Sequence, residues 1–244
     1  MSSLAYTRYE LLRVFRAPRF FIFSLGFPLV LYYLIAAPNR NEHDLAGSGL
    51  SAPLYFMVGL AAFGTMNAML GAGARISGER AVGWNRQLRI TPLTTRTYFR
   101  AKVATGYVMS ALTLAALYLS GVILGVSMTG NEWVRMTALI LVGLLPFAAL
   151  GIVFGHLLTP DSIGPVMGGT TALLAFLGGT WFPLSGAVMT HVGESLPSYW
   201  LVQAGHVGLG GNGWTRTGWL VMIAWTVATV AVARWAYRRD TKRV

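Results

Sequence analysis

The chain has 244 residues, of which 55% are hydrophobic and only 11% are charged, and its net charge is +11. Soluble domains usually carry about 25% charged residues, so this composition indicates a membrane protein. No stretch between the apolar runs reaches the length of about 50 residues that an independent domain needs. The composition therefore excludes a soluble enzyme and predicts a single transmembrane domain over residues 1–244.

Six apolar runs predict an all-α membrane protein with six transmembrane helices. The expected spans are 20–37, 52–74, 103–128, 136–158, 163–182 and 217–237. The first five runs contain no Asp, Glu, Lys or Arg, and the sixth contains none before Arg234. A spanning helix needs about 20 mostly apolar residues, and each run is close to that length.

The basic residues predict the orientation of the chain in the membrane. Sixteen of the 19 Lys and Arg residues lie before the first span, between the second and third spans, or at the C-terminal end. Because cytoplasmic segments carry an excess of Lys and Arg, both termini and the connector 75–102 are expected in the cytoplasm. These charges lie beside apolar runs, so they indicate contact with lipids of a prokaryotic plasma (inner) membrane rather than with nucleic acid.

Motifs for nucleotide or metal chemistry are missing from the sequence. The chain has no cysteine, which excludes thiolate sites. A P-loop requires Gly-Lys-Ser/Thr, whereas Lys102 follows Ala101 and Lys242 follows Thr241. We therefore expect no catalytic residue, no metal and no bound cofactor, and active transport would take its energy from another chain.

The spans also lack the charges that ion-coupled carriers usually place inside their helix bundle. Asn67 is the one carboxamide deep in a span, and with its neighbour Met66 it is the candidate for a substrate path. A helix–helix hydrogen bond is the alternative role for Asn67. Spans rich in Met, Phe, Tyr and Trp suit an amphiphilic or apolar substrate.

Small residues recur at four-residue spacing, which lets helix backbones approach closely. The pairs are Gly121–Gly125, Gly151–Gly155 and Gly164–Gly168. Packing within the bundle is the first interpretation of these pairs, and a dimerisation face is the alternative.

The segment 3–19 predicts an amphipathic helix that lies in the membrane interface. On a helix, Leu4, Leu11 and Phe15 share one side, whereas Arg13 and Arg16 point elsewhere and are expected to meet anionic headgroups. A basic tail that only sets the orientation is the alternative interpretation.

The connector 75–102 is too long for a tight turn and too short for a domain. Gly78 and Gly83 allow a bend, and Thr91 followed by Pro92 predicts the start of a second short helix. The pattern favours a helix–bend–helix beneath the membrane that offers an arginine-rich surface to a partner.

The segment 183–216, predicted to lie outside, is too apolar for a solvated loop, and its only acid is Glu194. Pro197 and several glycines divide it into pieces too short to span the membrane. We expect two short helices that dip into the outer leaflet, with Tyr199 and Trp200 anchored at the interface. Such a hairpin would act either as an outward gate or as a passive cap.

Two stretches carry a resemblance to a known family. The connector contains Gly-Glu-Arg at 78–80, Gly83 and Leu-Arg-Ile-Thr-Pro-Leu at 88–93. The outer segment begins with Phe-Pro-Leu-Ser-Gly at 182–186 and continues with Leu-Pro-Ser-Tyr-Trp at 196–200. In these motifs and in its six spans the chain resembles the permease (transmembrane) subunit of an ATP-binding cassette (ABC) type-2 exporter, the drug, antibiotic and polysaccharide efflux class.

The resemblance implies a role for each of the two stretches. The connector would be the coupling helix that docks on an ATPase through Glu79, Arg80, Gly83, Arg86, Leu88, Arg89 and Pro92. The outer segment would form a re-entrant gate containing Phe182, Pro183, Ser185, Leu196, Pro197, Tyr199 and Trp200. Glu79 would pair with an arginine of the ATPase, and the arginines with acidic rims on it.

The resemblance also implies an assembly. The permease would pair with a second permease copy or a paralogue, together with two copies of a separate ATPase that binds ATP and Mg. The alternative function, from another class, is an ATP-independent membrane channel or secondary carrier.

Overall fold

The computed structural model describes residues 3–16, 21–84, 87, 90–91, 93–209 and 213–241, and these residues form helices and no strand. In chain order the helices are α1 (Ser3–Phe15), α2 (Phe27–Ala36), α3 (Ala52–Ala74), α4 (Ile76–Ala81), α5 (Thr95–Ile123), α6 (Gly130–Gly143), α7 (Leu145–Leu157), α8 (Pro160–Leu177), α9 (Ala187–Glu194), α10 (Pro197–Gln203) and α11 (Arg216–Thr241). A π-helical turn, Ile22–Gly26, leads into α2, and 3-10 helices occupy Leu45–Gly47 and Ala204–Leu209. The expectation of an all-helical chain is confirmed for these residues.

Four helical stretches in the described ranges are long and apolar enough to cross a membrane. They are Ala52–Ala81, Thr95–Ile123, Gly130–Leu157 and Arg216–Asp240. The helix Ser24–Ala36 is apolar but shorter, and α8 has 18 residues but is not one of the four. All six predicted runs thus overlap helices, and the count of six spans stays a prediction.

Helix α3 is the central helix of the bundle, and its bounds are those of the predicted span 52–74. It begins after Ser51, whose backbone is extended, and Pro53 occupies its first turn, where the missing N–H of proline has no helical partner to lose. Almost every residue of α3 is buried, and α5, α7 and α2 pack around it. A helix that is apolar on all sides is expected at such a position.

Helix α5 begins earlier than the predicted span 103–128 and later than the predicted helix start at Thr91. Its N-cap is Thr94, whose hydroxyl accepts a hydrogen bond from the backbone N–H of Thr97 at 3.2 Å. A threonine side chain at the N-cap satisfies one of the unpaired amides of the first turn. The prediction of a start at Thr91 is therefore wrong by three residues, and Pro92 lies outside the described residues.

Helices α5 and α8 end five residues before the ends of their predicted spans. In each case a glycine after the helix takes a left-handed backbone conformation. Gly125 has φ +95° after α5, and Gly179 has φ +74° after α8. After α5 the N–H of Val126 donates to the carbonyl of Gly121 at 2.9 Å, and after α8 the N–H of Thr180 donates to the carbonyl of Ala175 at 2.9 Å. These are the bonds of the Schellman motif, which ends many helices.

The predicted span 136–158 consists of two helices, α6 and α7, that meet at Leu144. Pro146 lies in the first turn of α7, and proline removes a backbone donor and crowds the preceding turn. Helix α6 itself begins at Thr129, which forms a capping box with Glu132. A proline inside an apolar run thus divides the span without interrupting its hydrophobicity.

The Gly151–Gly155 pair lies where α7 crosses α3. A Cβ added to Gly151 would be 2.6 Å from the carbonyl oxygen of Leu70, and one added to Gly155 would be 2.4 Å from that of Gly73. By contrast, Gly164 and Gly168 have no atom within 4 Å of an added Cβ. Close packing within the bundle is therefore confirmed for the pair on α7 and is not the role of the pair on α8.

Helix α1 lies against α5 through a face that differs from the predicted apolar face. The buried residues on α1 are Tyr6, Glu10 and Val14, spaced one helical turn apart. Phe15, which was expected on the packed or lipid-facing side, is 49% exposed. A glutamate at the centre of the buried face needs partners, and these partners define the candidate site.

Candidate coupling site

Helix α4 continues from α3 and carries two charged residues that point to different neighbours. Arg75 joins the two helices with backbone angles close to helical. The side chain of Glu79 is 1% exposed and that of Arg80 is 28% exposed. Because the two residues are adjacent on one helix turn, they reach different sides of α4.

Glu79 accepts hydrogen bonds from three residues on two other helices. Its Oε1 accepts from Nζ of Lys102 at 2.5 Å and from Nη1 of Arg13 at 2.8 Å. Its Oε2 accepts from the hydroxyl of Tyr98 at 2.5 Å. One carboxylate therefore connects α4 with α1 and with the first turns of α5.

Lys102 lies between two carboxylates. Its Nζ is 2.6 Å from Oε1 of Glu10 and 2.5 Å from Oε1 of Glu79, and its side chain is 1% exposed. Arg75 approaches Glu10 at 3.8 Å. We call these residues the inner ion cluster: Glu10, Arg13, Arg75, Glu79 and Lys102.

The inner ion cluster is stabilised by the hydrogen bonds between its members and not only by the net attraction between their charges. Burying charges is expensive, but removing one partner of a buried pair costs about 3–5 kcal/mol because the other charge is left uncompensated. Arg13 contributes less, since its side chain is 53% exposed and screened by solvent. Tyr6 packs beside the cluster, and burial together with Glu10 raises its pKa, so its phenol stays neutral.

A second set of contacts joins α4 to the C-terminal end of α11. Nη2 of Arg80 is 2.7 Å from Oδ1 of Asp240, and Nδ1 of His156 is 3.0 Å from Oδ2 of the same carboxylate. We call Arg80, His156 and Asp240 the C-terminal clamp. The rings of Phe99 and Tyr237 pack edge-on against His156, so α5 also contributes to the clamp.

Helix α4 also supplies donors to the C-terminal end of α7. Nη1 of Arg80 donates to the carbonyl of Gly155 at 3.1 Å, and the hydroxyl of Ser77 donates to that of Leu158 at 2.9 Å. The last carbonyls of a helix have no intrahelical partner, and a cation there interacts favourably with the helix dipole. Through these bonds, the inner ion cluster and the C-terminal clamp, α4 is connected to α1, α5, α7 and α11.

The structure changes the roles expected of the first coupling residues. Glu79 is buried and engaged within its own chain, and its ion pair with an arginine of the ATPase stays a prediction. Arg80 likewise binds Asp240 rather than lying open for an acidic rim. The remaining members Arg86, Leu88, Arg89 and Pro92 lie outside the described residues.

The described part of the connector exposes apolar and basic groups. Val82 is 75% exposed and Ile90 is 88% exposed, although neither was singled out from the sequence. Gly83 follows α4 with φ +71° and open space around its Cα, which fits the predicted bend. Arg96 and Arg100, one turn apart on α5, are also exposed.

Sequence reasoning missed Glu10, Tyr98, Lys102, His156 and Asp240 as site residues. One signal was available, because the predicted cytoplasmic side has only four acids among many arginines: Glu10, Glu79, Asp161 and Asp240. Three of these four form the inner ion cluster and the C-terminal clamp. Scarce charges of one sign among many of the other are candidates for buried pairs.

The outer segment forms two short helices, α9 and α10, and a 3-10 helix, as expected for its punctuated sequence. Of the predicted gate residues, Phe182 is 69% exposed and Ser185 is also exposed. Pro183, Leu196 and Tyr199 are partly buried, and Pro197 is buried. The depth of this hairpin in the membrane stays a prediction.

Three indole N–H groups donate hydrogen bonds to backbone carbonyls of the two short helices of the hairpin or of the turn between them. Trp200 donates to the carbonyl of Glu194 at 2.9 Å, Trp225 to that of Ser195 at 2.8 Å, and Trp214 to that of Trp200 at 2.6 Å. Trp200 is 4% exposed, so the prediction that it anchors at the membrane interface is wrong. It lies inside the bundle because Gly218 on α11 leaves room for its ring.

The candidates for a substrate path occupy the interior of this chain. Met66 is 1% exposed and belongs to the main hydrophobic core. Asn67 is partly buried, and its amide donates to the carbonyl of Phe63 in the same helix at 3.0 Å. Asn67 therefore uses its donor within α3, and the structure shows neither residue on a path.

Comparison with known proteins gives one relative over almost the whole chain. The sequence is 27% identical over 236 residues, 95% of each chain, to the "Putative transport permease YvfS" of Bacillus subtilis (strain 168). No protein-family model matches the chain. Together with the apolar helices, this similarity supports a membrane-embedded transport permease.

Proposed function

We propose that the chain is the transmembrane permease subunit of an ABC type-2 exporter. It moves an amphiphilic or apolar substrate, such as a drug, an antibiotic or a lipid, out of the cell by alternating access. Full-length similarity to a transport permease and the connector and outer-segment motifs support this proposal. The observation that carries it is the position of α4, a six-residue helix at the start of the connector 75–102, directly before its exposed part.

The contacts of α4 explain how a partner's movement would reach the spans. A displacement of the connector acts first on α4. Glu79 passes that displacement to α1 and α5, and Arg80 passes it to α7 and α11. Because buried ion pairs resist separation, these helices move with α4 rather than sliding past it.

The proposed assembly contains two permease chains and two ATPase chains in the plasma membrane. ATP and Mg bind to the ATPase subunits, and each permease crosses the membrane six times with both termini in the cytoplasm. The exposed groups Val82, Ile90, Arg96 and Arg100 form the described part of the docking surface for an ATPase. An apolar centre with a basic rim is a common composition for such surfaces.

The outer hairpin serves as the gate of the exit path in this proposal. Its helices are short: the indole of Trp200 joins α10 to the end of α9, and the indole of Trp225 on α11 fixes that end to the bundle. Movement of α11, which carries Trp225, would therefore displace α9. The clamp at the other end of α11 connects the same helix to α4.

The proposal is tested by purifying the chain from native membranes and reconstituting it in vesicles. We expect a P-loop ATPase to co-purify, and ATP hydrolysis and export of a fluorescent amphiphile to require both chains. The permease alone should hydrolyse no ATP. Substrate flux through the permease alone, unchanged by ATP and by the ATPase, would instead establish a channel or secondary carrier.

A further inference from the structure

A cavity of about 220 Å³ lies beside the C-terminal clamp. It is lined by Arg80, His156, Leu157, Ala236, Arg239 and Asp240. Its volume is several times the roughly 30 Å³ that one water molecule occupies in the liquid. The cavity is at the arginine-rich end of the bundle, which the charge distribution predicts to be cytoplasmic.

The lining carries more positive than negative charge. Both oxygens of Asp240 are already engaged, Oδ1 by Arg80 and Oδ2 by His156. Arg239 adds a second guanidinium, held 5.4 Å from the centre of the Trp235 ring. This stacking on its own helix keeps the arginine extended beside the cavity.

His156 presents an unused nitrogen at this site. The residue is 4% exposed, and its Nε2 has no hydrogen-bond partner among the described residues. A carboxylate can only accept, so Nδ1 carries the proton that is shared with Asp240. In the neutral ring Nε2 is therefore an acceptor, and it donates to an anion only after the ring binds a second proton, whereas leaving it unpaired is unfavourable.

We propose that this cavity binds a phosphate group. Arg80 and Arg239 supply the guanidinium donors that favour phosphate, and His156, once protonated, adds a third positive charge to the lining. The phosphate comes either from an anionic lipid headgroup of the inner leaflet or from free phosphate, and its chemistry is the same in both. The site is independent of the direction and energy source of transport.

A melting experiment on the full-length chain in neutral detergent tests the proposal. Phosphatidylglycerol is added in one arm, diacylglycerol with the same acyl chains in a second, and inorganic phosphate against chloride at equal ionic strength in a third. Arg239→Gln removes one donor without touching the clamp. Arg234→Gln is the matched control, because it lies on the exposed side of α11 and does not line this cavity.

We expect phosphate-bearing ligands to raise the melting temperature of the unchanged protein and of Arg234→Gln. In Arg239→Gln the half-saturating concentration of the phosphate-bearing ligand should rise about tenfold, as expected for one lost charge-assisted hydrogen bond. The value for Arg239→Lys should lie between those of the unchanged protein and Arg239→Gln. A response to phosphatidylglycerol alone assigns the site to lipid, and a response to inorganic phosphate assigns it to the free anion. Equal responses to diacylglycerol, or equal responses of Arg239→Gln and Arg234→Gln, overturn the proposal.

Discussion

Glu79 shows how one carboxylate joins parts of the chain that are far apart in sequence. Its partners Arg13 and Tyr98 are 66 and 19 residues away. Lys102 extends the connection to Glu10, 92 residues away. The buried members Glu10, Glu79 and Lys102 have little access to water as an alternative partner.

A double-mutant cycle measures the bond between Glu79 and Lys102. We expect Glu79→Gln and Lys102→Met each to lower the melting temperature strongly, because each leaves a buried charge unpaired. The double variant should lose less stability than the sum of the losses in the two single variants, with a coupling free energy of about 0.5–3 kcal/mol. Thermal unfolding of the detergent-solubilised protein checks this.

The matched control for that cycle is Glu42→Gln, which neutralises an exposed acid in the loop before α3. It should change stability by no more than about 0.5 kcal/mol. Additive effects of the two cluster substitutions would contradict the direct bond between the two buried charges.

At this scale the sequence predicted which residues are charged but not which of them meet. Glu79 and Arg80 stood out through the Gly-Glu-Arg motif. Their partners come from α1, α5, α7 and α11, and only the packing of those helices brings them together. A motif that the resemblance assigns to an interface is, in the folded chain, an internal junction.

The crossing of α3 and α7 is the element contact that tolerates the least change. A Cβ at Gly73 would lie 2.4 Å from the carbonyl carbon of Gly151, a distance at which backbone must move. Small residues allow such approaches in membrane helices, where dispersion rather than hydrophobic burial drives association.

We therefore expect Gly151→Ala to destabilise the chain by about 1–3 kcal/mol, as overpacking does. Gly168→Ala on α8 is the control, because an added Cβ meets no atom within 4 Å and alanine favours a helix by about 1 kcal/mol over glycine. Melting temperatures of the two variants provide the measurement. The crossing described above would be wrong if Gly151→Ala melted no lower than Gly168→Ala.

The outer hairpin gives a second prediction for single elements. Leu201 on α10 is fully buried, whereas Val192 on α9 is 41% exposed. We expect Leu201→Asp to prevent folding, because a carboxylate in the core has no partner, and Val192→Asp to yield folded protein. Gel filtration after solubilisation separates the two outcomes. Folded protein from both variants would show that α10 does not pack as described.

The elements were largely predictable, and their ends were not. Uncharged runs of about 20 residues identify helices because a helix satisfies its backbone groups within one segment in lipid. The ends depend on local devices such as the Thr94 cap, the left-handed Gly125 and Gly179, and the kink at Pro146. None of these interrupts the hydrophobic pattern from which the spans were predicted.

For the whole molecule, the distribution of charge predicts an orientation that labelling can check. The chain has no cysteine, so single cysteines at the exposed positions Asn41, Asn131 and Gln87 report unambiguously. An impermeant thiol reagent applied to intact cells should label the first two and spare Gln87. Labelling of Gln87 from outside would reverse the assignment of both termini.

The inner ion cluster and the C-terminal clamp tie helix ends together at one end of the molecule. Four spans or their extensions meet at α4 on the arginine-rich side, whereas the opposite side is held by the short helices and indoles of the outer hairpin. In the proposed function, a displacement of α4 would be transmitted along α5, α7 and α11 to the hairpin. The proposed docking surface and the proposed gate would then lie at opposite ends of the same helices.

Site-specific crosslinking tests the central claim, that a separate ATPase docks on the connector beside α4. Val82, which is 75% exposed, is replaced by a single cysteine, and this cysteine is labelled with a photoreactive maleimide in native membranes. The control is a single cysteine in place of Val188, which is 81% exposed on the outer hairpin. We predict that Val82 captures a P-loop ATPase and that Val188 captures none. Capture of no ATPase at Val82, or equal capture at both positions, would contradict the account.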